Sequence, residues 1–157
     1  MTEFRHTADA VGTGGPIPYP DDYLRECLND TFKVAVIGYK PGQDSEKHAL
    51  DLRMEGYRVI PVNPDLAGEF HLGEVVPGRV ADISSTIDMV LVYGTPKDAE
   101  MAAEGARHAK DPFGLKVLWF APGARNDDAA RVAEDAGLRV VQDRDPAAEA
   151  RRLGVSH

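Results

Sequence analysis

The chain has 157 residues, 43% of them hydrophobic and 28% charged, with a formal net charge of -8. Those values suit one globular domain with a buried core, and the acidic balance argues against a general nucleic-acid binder, which needs a basic face. The lone cysteine, Cys27, excludes an intrachain disulfide; no apolar run reaches the ~18 residues of a membrane span, and MTEFRHTADA lacks a secretory pattern, so the expected setting is cytoplasmic.

In chain order, Met1 to Pro18 carries glycine and proline punctuation with little apolar periodicity. It predicts a flexible or loosely docked arm ahead of one domain over residues 19–157. A short helix opens at Pro20-Asp21-Asp22 and runs to about Asn29, its acids suiting the positive end of the helix dipole. Tyr23, Leu24, Cys27 and Leu28 share one face of it, and Cys27 there reads as a packed, inert thiol. Lys33 to Gly38 is the first strand, Ser45 to Glu55 a helix ended by Gly56, and Tyr57 to Val62 the second strand. Asp65 to Ser85 is less regular, with room for a short strand or a helical turn. Asp88 to Tyr93 is the third strand, followed by a helix with Ala99, Ala102, Ala103, Ala106 and Ala109 on a small-residue face. Leu115 to Phe120 is the fourth, in which Trp119 and Phe120 read as core. A further helix carries Ala129, Val132, Ala133 and Ala136 and stops at Gly137, before a short fifth strand from Leu138 to Val141.

Strands that are apolar at nearly every position are those buried on both faces of a parallel sheet. Their alternation with helices predicts an α/β fold: a Rossmann-like, doubly wound, mainly parallel five-stranded sheet with helices on both faces.

Ligands of such sheets bind beyond the C-terminal ends of the strands, where strand order reverses. The turn after each strand is therefore a candidate. After the first come Gly38, Tyr39, Lys40, Pro41 and Gly42, then Ser45. Gly38 lets the chain turn and Gly42 lets backbone approach a ligand. Asp44 or Ser45 would cap the next helix, whose first amides suit a phosphate, with Lys40 adding charge and His48 one turn above. After the second strand, Asn63 and Pro64 form a rigid turn with Asp65 just beyond. After the third come Gly94, Thr95, Pro96 and Lys97, with Thr95 a cap and Pro96 in the first helical turn. Pro122, Gly123 and Arg125 follow the fourth, and Arg144 the fifth. Lys40, Lys97, Arg125 and Arg144 fall on one edge, a basic rim of the kind a polyphosphate requires. No Walker A pattern, metal-ligand spacing or catalytic constellation is evident.

The run KVAVIGYKPGQDSEKHALDLRMEGYRVIPVNPD resembles the opening of the small stand-alone CoA-binding domain proteins, relatives of the CoA-binding Rossmann domain of succinyl-CoA synthetase α subunits. The resemblance extends over roughly Asp21 to Leu153, and GYRVIPVNP is its most specific phrase. It implies coenzyme A or an acyl-CoA across the strand ends, with the Gly38 to Ser45 loop on the phosphates. The turns at Asn63-Pro64, Gly94-Thr95-Pro96 and Pro122-Gly123 would line the rest. It further implies a non-catalytic carrier, sensor or regulatory module, with room for an unidentified protein partner. Related sequences commonly have arginine-arginine-proline where Gly94-Thr95-Pro96 stands, and a cysteine at Asp145. Two other readings stay open: an NAD(P)-binding oxidoreductase or redox sensor using Asp65 and His48, and a ligand-free interaction protein that keeps the fold.

Overall fold

Side chains along each strand alternate between two separate apolar cores, one on each side of a single sheet. In this computed structural model, which describes residues 4–6 and 15–157, the strands are β1 (Lys33–Ile37), β2 (Arg58–Val62), β5 (Met89–Val92), β6 (Val117–Phe120) and β7 (Arg139–Gln142). All pair in parallel, in the order β2-β1-β5-β6-β7. Val34, Val36, Met89, Leu91, Val117 and Trp119 face one core, with α1 (Asp21–Asn29), α2 (Asp44–Met54) and α5 (Pro146–Leu153). Ala35, Val90, Val92, Leu118 and Phe120 face the other, under α3 (Pro96–Phe113) and α4 (Asp127–Asp135). The alanine faces of α3 and α4, at Ala99, Ala103, Ala106, Ala129 and Ala133, are what let these helices lie close. Trp119 and Phe120 are fully buried core residues, as expected.

Strand and helix positions agree with the sequence to within a residue or two. The irregular segment resolves into a 3-10 turn at Pro64–Leu66, a minimal antiparallel hairpin of β3 (Phe70–His71) and β4 (Glu74–Val75), and a second 3-10 turn at Val80–Asp82. The sequence reading did not anticipate α5. Its signals were local: Asp145 accepts the amides of Ala147 and Ala148, Pro146 takes the first helical position, and Gly154 closes the helix in the left-handed region.

Of the expected N-terminal arm, residues 1–3 and 7–14 lie outside the described residues. Phe4 and Ile17 are buried in the core shared with α1 and the sheet, and His6 is buried beside α4 and Tyr19. The His6 amide donates to Glu134 at 3.0 Å, and its ring lies between Glu134 (3.1 Å) and the Tyr19 hydroxyl (2.6 Å). Cys27 is fully buried beside them, and burial pushes its thiol up to about 12, which leaves it unreactive.

Both sheet edges offer few free backbone donors. On β7 the Val140 amide donates to the Tyr23 hydroxyl at 3.0 Å, and the Gln142 amide to the Tyr19 hydroxyl at 2.8 Å. On β2 the Arg58 amide points inward to the Phe32 carbonyl, so alternation turns residues 59, 61 and 63 outward. Residue 61 is proline, and the Asn63 amide is taken by the Pro77 carbonyl.

Asp88 anchors the start of the central strands. Its carboxylate accepts the amides of Phe32 and Lys33, both at 3.0 Å, and pairs with Lys116 at 3.3 Å. Burial alone opposes its charge, but those donors win and hold it below the usual carboxylate range. Its stabilising effect is therefore complete above about pH 4 and disappears as pH falls through the lowered folded value. Asp88→Ala is expected to lower stability by about 1–3 kcal/mol at neutral pH. Urea melts of both proteins should converge as the buffer is taken towards pH 2–3.

Candidate functional site

Strand order reverses between β1 and β5, and the chain is tightest there. Gly38, leaving β1, has φ +78, and a Cβ on it would stand 2.3 Å from the Tyr93 carbonyl oxygen at the end of β5. Only glycine lets the two strand ends come together with that backbone. Gly94 has φ +140, and a Cβ there would meet the Asp98 carboxylate at 2.3 Å. That carboxylate is held by the Thr95 amide (2.8 Å) in a capping box that starts α3, the role expected of Thr95.

Beside this junction opens a cavity of about 890 Å³. Its mouth is formed by Gly38, Lys40, Gln43 and the first turn of α2 (Asp44, Ser45), with Asn63, Pro64 and Asp65 after β2 and Gly94 and Asp98 after β5. It continues along α3, past Met101, Ala102, Gly105, Ala106, His108, Ala109 and Phe113, and is walled by Arg79, Val80 and Ala81. The reason is topological. The connection from β2 to β5 must cross β1 on the α3 side, and it carries only a one-turn helix there. Val62 and Val90, though almost fully buried, line the cavity on the sheet side.

Asn63 ties the mouth together. It is buried, its side-chain amide donates to the Tyr39 carbonyl at 2.7 Å, and its side-chain oxygen accepts the Asp65 amide at 2.8 Å. The loop after β1 is thus fastened to the loop after β2 by one side chain. The loop is also braced internally, with the Lys40 amide on the Ser45 hydroxyl (2.9 Å) and the Gly42 amide on Glu46 (3.1 Å). Gln43, rather than Asp44 or Ser45, is the residue preceding α2. Ser45 has turned back to close the loop.

His48 does not line the cavity but acts on a residue that does. Its Nδ1 lies 2.5 Å from the Tyr93 hydroxyl and its Nε2 3.4 Å from Asp145. With its Nε2 proton turned towards Asp145, the imidazole would take the hydrogen of the Tyr93 hydroxyl on Nδ1. Burial, then the nearby Asp145, Asp44 and Asp51, raise the Tyr93 phenol well above its ordinary range and keep it neutral. The chain Tyr93–His48–Asp145 joins the cavity wall to α2 and to the start of α5.

Of the sequence candidates, Gly38, Lys40, Ser45, Asn63, Pro64 and Gly94 meet around the cavity. Tyr39 is buried behind the loop, with its hydroxyl on Glu46 at 3.2 Å. Pro41 and Gly42 are exposed at the loop tip, and Thr95, Pro96 and Lys97 form the outer start of α3. Pro122 and Gly123 lie exposed in the turn after β6. The basic rim divides. Lys97 pairs with Glu100 at 3.3 Å. Arg125 pairs with Asp127 and donates to the Gly15 carbonyl, while Arg144 pairs with Glu149 and donates to that of Ile17. Lys40 alone of the four lines the cavity, joined there by Arg79 from the crossover. Sequence reasoning missed Arg79, Val80, Tyr93 and the groove-facing side of α3. The one available signal was the lack of a helix between the second and third expected strands.

No helix among the described residues is long and apolar enough to cross a membrane, and no group of three or more of their His, Cys, Asp and Glu side chains is placed to hold a metal ion. The profile of a family described as "CoA binding domain" matches residues 33–151. The Bacillus subtilis (strain 168) protein YneT, described as uncharacterized, is 27% identical over 122 residues, covering 76% of this chain and 86% of the relative. A hypothetical protein from Pyrococcus horikoshii OT3 has a solved structure with TM-score 0.78 and 32% identity, covering 98% of this chain and 99% of that one. A Thermus thermophilus protein has TM-score 0.74 and 28% identity, covering 86% and 99%.

Proposed function

The chain belongs to the CoA-binding domain family, and from that premise we propose that it holds coenzyme A or an acyl-CoA at the strand-order reversal. The observation that carries this reading is the cavity whose mouth joins the Gly38 to Ser45 loop, Lys40 and the first turn of α2. A phosphate placed there meets the positive end of α2 and a lysine ammonium. Several polar groups at the mouth are already spent on holding it: Ser45 and Asn63 bond backbone, and Asp98 caps α3. That favours holding a ligand over transforming it, hence a carrier, sensor or regulatory module in a cytoplasmic setting.

Coenzyme A at 100 times its dissociation constant is expected to add about 2.7 kcal/mol to the folded state, read as a rise in Tm. Lys40→Glu should weaken binding about tenfold or more while leaving the ligand-free Tm in place. No shift at millimolar coenzyme A would end this reading.

A dinucleotide is the second reading, favoured by Asp65. It follows β2 and lines the cavity, near where an acid holds the ribose in NAD sites. The mass of any small molecule retained in native mass spectrometry separates the two.

A further inference from the structure

Large apolar side chains left in water are ordinarily scattered singly, but here most of them gather at the β2 edge of the sheet. Of the seven that stand exposed among the described residues, four belong to α2 and to the β3–β4 hairpin: Leu50, Met54, Phe70 and Val75. Leu50 and Met54 are one helical turn apart on one face of α2, with Arg53 beside them. Phe70 and Val75 stand directly opposite each other on the hairpin, and their neighbours fix which way they point. The His71 ring lies against that of buried Tyr39, centroids 5.6 Å apart, and Glu74 pairs with Arg58 at 3.0 Å. Alternation therefore turns Phe70 and Val75 to the outer face. The two apolar pieces adjoin at the hairpin turn, where the Arg53 guanidinium lies 3.7 Å from the position of a Cβ on Gly73. The turn is also fastened from below. Leu72 packs on the core beneath α2 with φ +53, a left-handed backbone that is costly for leucine.

We propose that this face binds a second copy of the chain about a two-fold axis. Charge selects that occupant. With a net charge of -8, two copies repel each other in most orientations. On this face the charges are balanced instead, Arg58 by Glu74 and Lys47 by Asp51 at 3.5 Å. Two are left over, and they are opposite in sign. Arg53 makes no ion pair among the described residues, and Glu69, 56% exposed, meets only His71 there. In a two-fold contact the same surface faces itself, so Arg53 of each copy meets Glu69 of the other, twice over. A strongly acidic or strongly basic partner would satisfy one of these charges and oppose the other. The contact is independent of what the cavity holds.

Sedimentation velocity of the full chain over a concentration series tests it. A reversible monomer–dimer equilibrium is expected, with a dissociation constant of about 10–100 μM, because four apolar side chains make a small interface centre. Phe70→Glu on the hairpin and Met54→Lys on α2 should each weaken it about tenfold or more. Both positions are exposed, so neither change threatens the fold. Arg53→Glu and Glu69→Arg should each be monomeric alone, while an equimolar mixture of the two dimerises, because mixing restores both ionic contacts. Three results would each overturn the proposal: a chain that stays monomeric at millimolar concentration, a dimer indifferent to Phe70→Glu and Met54→Lys, or charge reversals that mixing does not rescue.

Discussion

Gly38→Ala is expected to lose about 2–4 kcal/mol of stability, and the ligand with it. Two costs coincide at this residue. The backbone is left-handed at φ +78, and the added methyl would stand 2.3 Å from the Tyr93 carbonyl. Relief demands that β1 and β5 part at the point where the cavity mouth is built. Gly42 is the matched control. Its φ is +79, but nothing lies within 4 Å of the position a Cβ would take. Gly42→Ala should therefore cost only about 1 kcal/mol, the conformational part alone. Urea melts with unchanged m-values would read both. Equal losses at the two positions would show that contact with Tyr93 adds nothing.

Asn63→Leu is expected to cost a further large amount, about 2–4 kcal/mol, because it strands two backbone groups at once. The Tyr39 carbonyl loses its donor and the Asp65 amide its acceptor. Leucine keeps the branched outline of asparagine without its polar atoms, so the loss does not come from a cavity. Asn63→Asp separates the two bonds. It keeps an acceptor for Asp65 but turns a second acceptor towards the Tyr39 carbonyl. If the Tyr39 bond is the one that matters, aspartate should be as damaging as leucine, and coenzyme A binding should fall in both. A thermal melt with and without ligand provides both readouts.

The parallel five-stranded sheet was legible because each strand is apolar on nearly every residue and each turn carries glycine or proline. Those are local signals, and they also found Thr95 as a cap and Cys27 as a packed thiol. The site was legible only where it lies directly after a strand, as at Gly38, Lys40, Asn63 and Gly94. The groove along α3 was not, because Ala102, Ala106 and Ala109 have the spacing of any helix packed on a sheet. Their exposure to a cavity depends on what the distant crossover fails to cover. The basic rim misled for a related reason. Arg125 and Arg144 do stand near the strand ends, but the carbonyls of Gly15 and Ile17 reach them first. A charge count along the chain has no means of anticipating a partner more than a hundred residues away.

The treatment of the two outer strands has a consequence for how this protein meets others. An open strand is ordinarily a template on which a second chain can lengthen the sheet. On one side here, Tyr19 and Tyr23 have already satisfied the groups that such a chain would seek. On the other, Pro61 has no hydrogen to offer and the Asn63 amide is spoken for, leaving Val59 as a single isolated donor. Accretion of strands, whether as specific assembly or as aggregation, is disfavoured at both edges. Any protein that docks on this domain has to recognise its side chains and helices rather than extend its sheet.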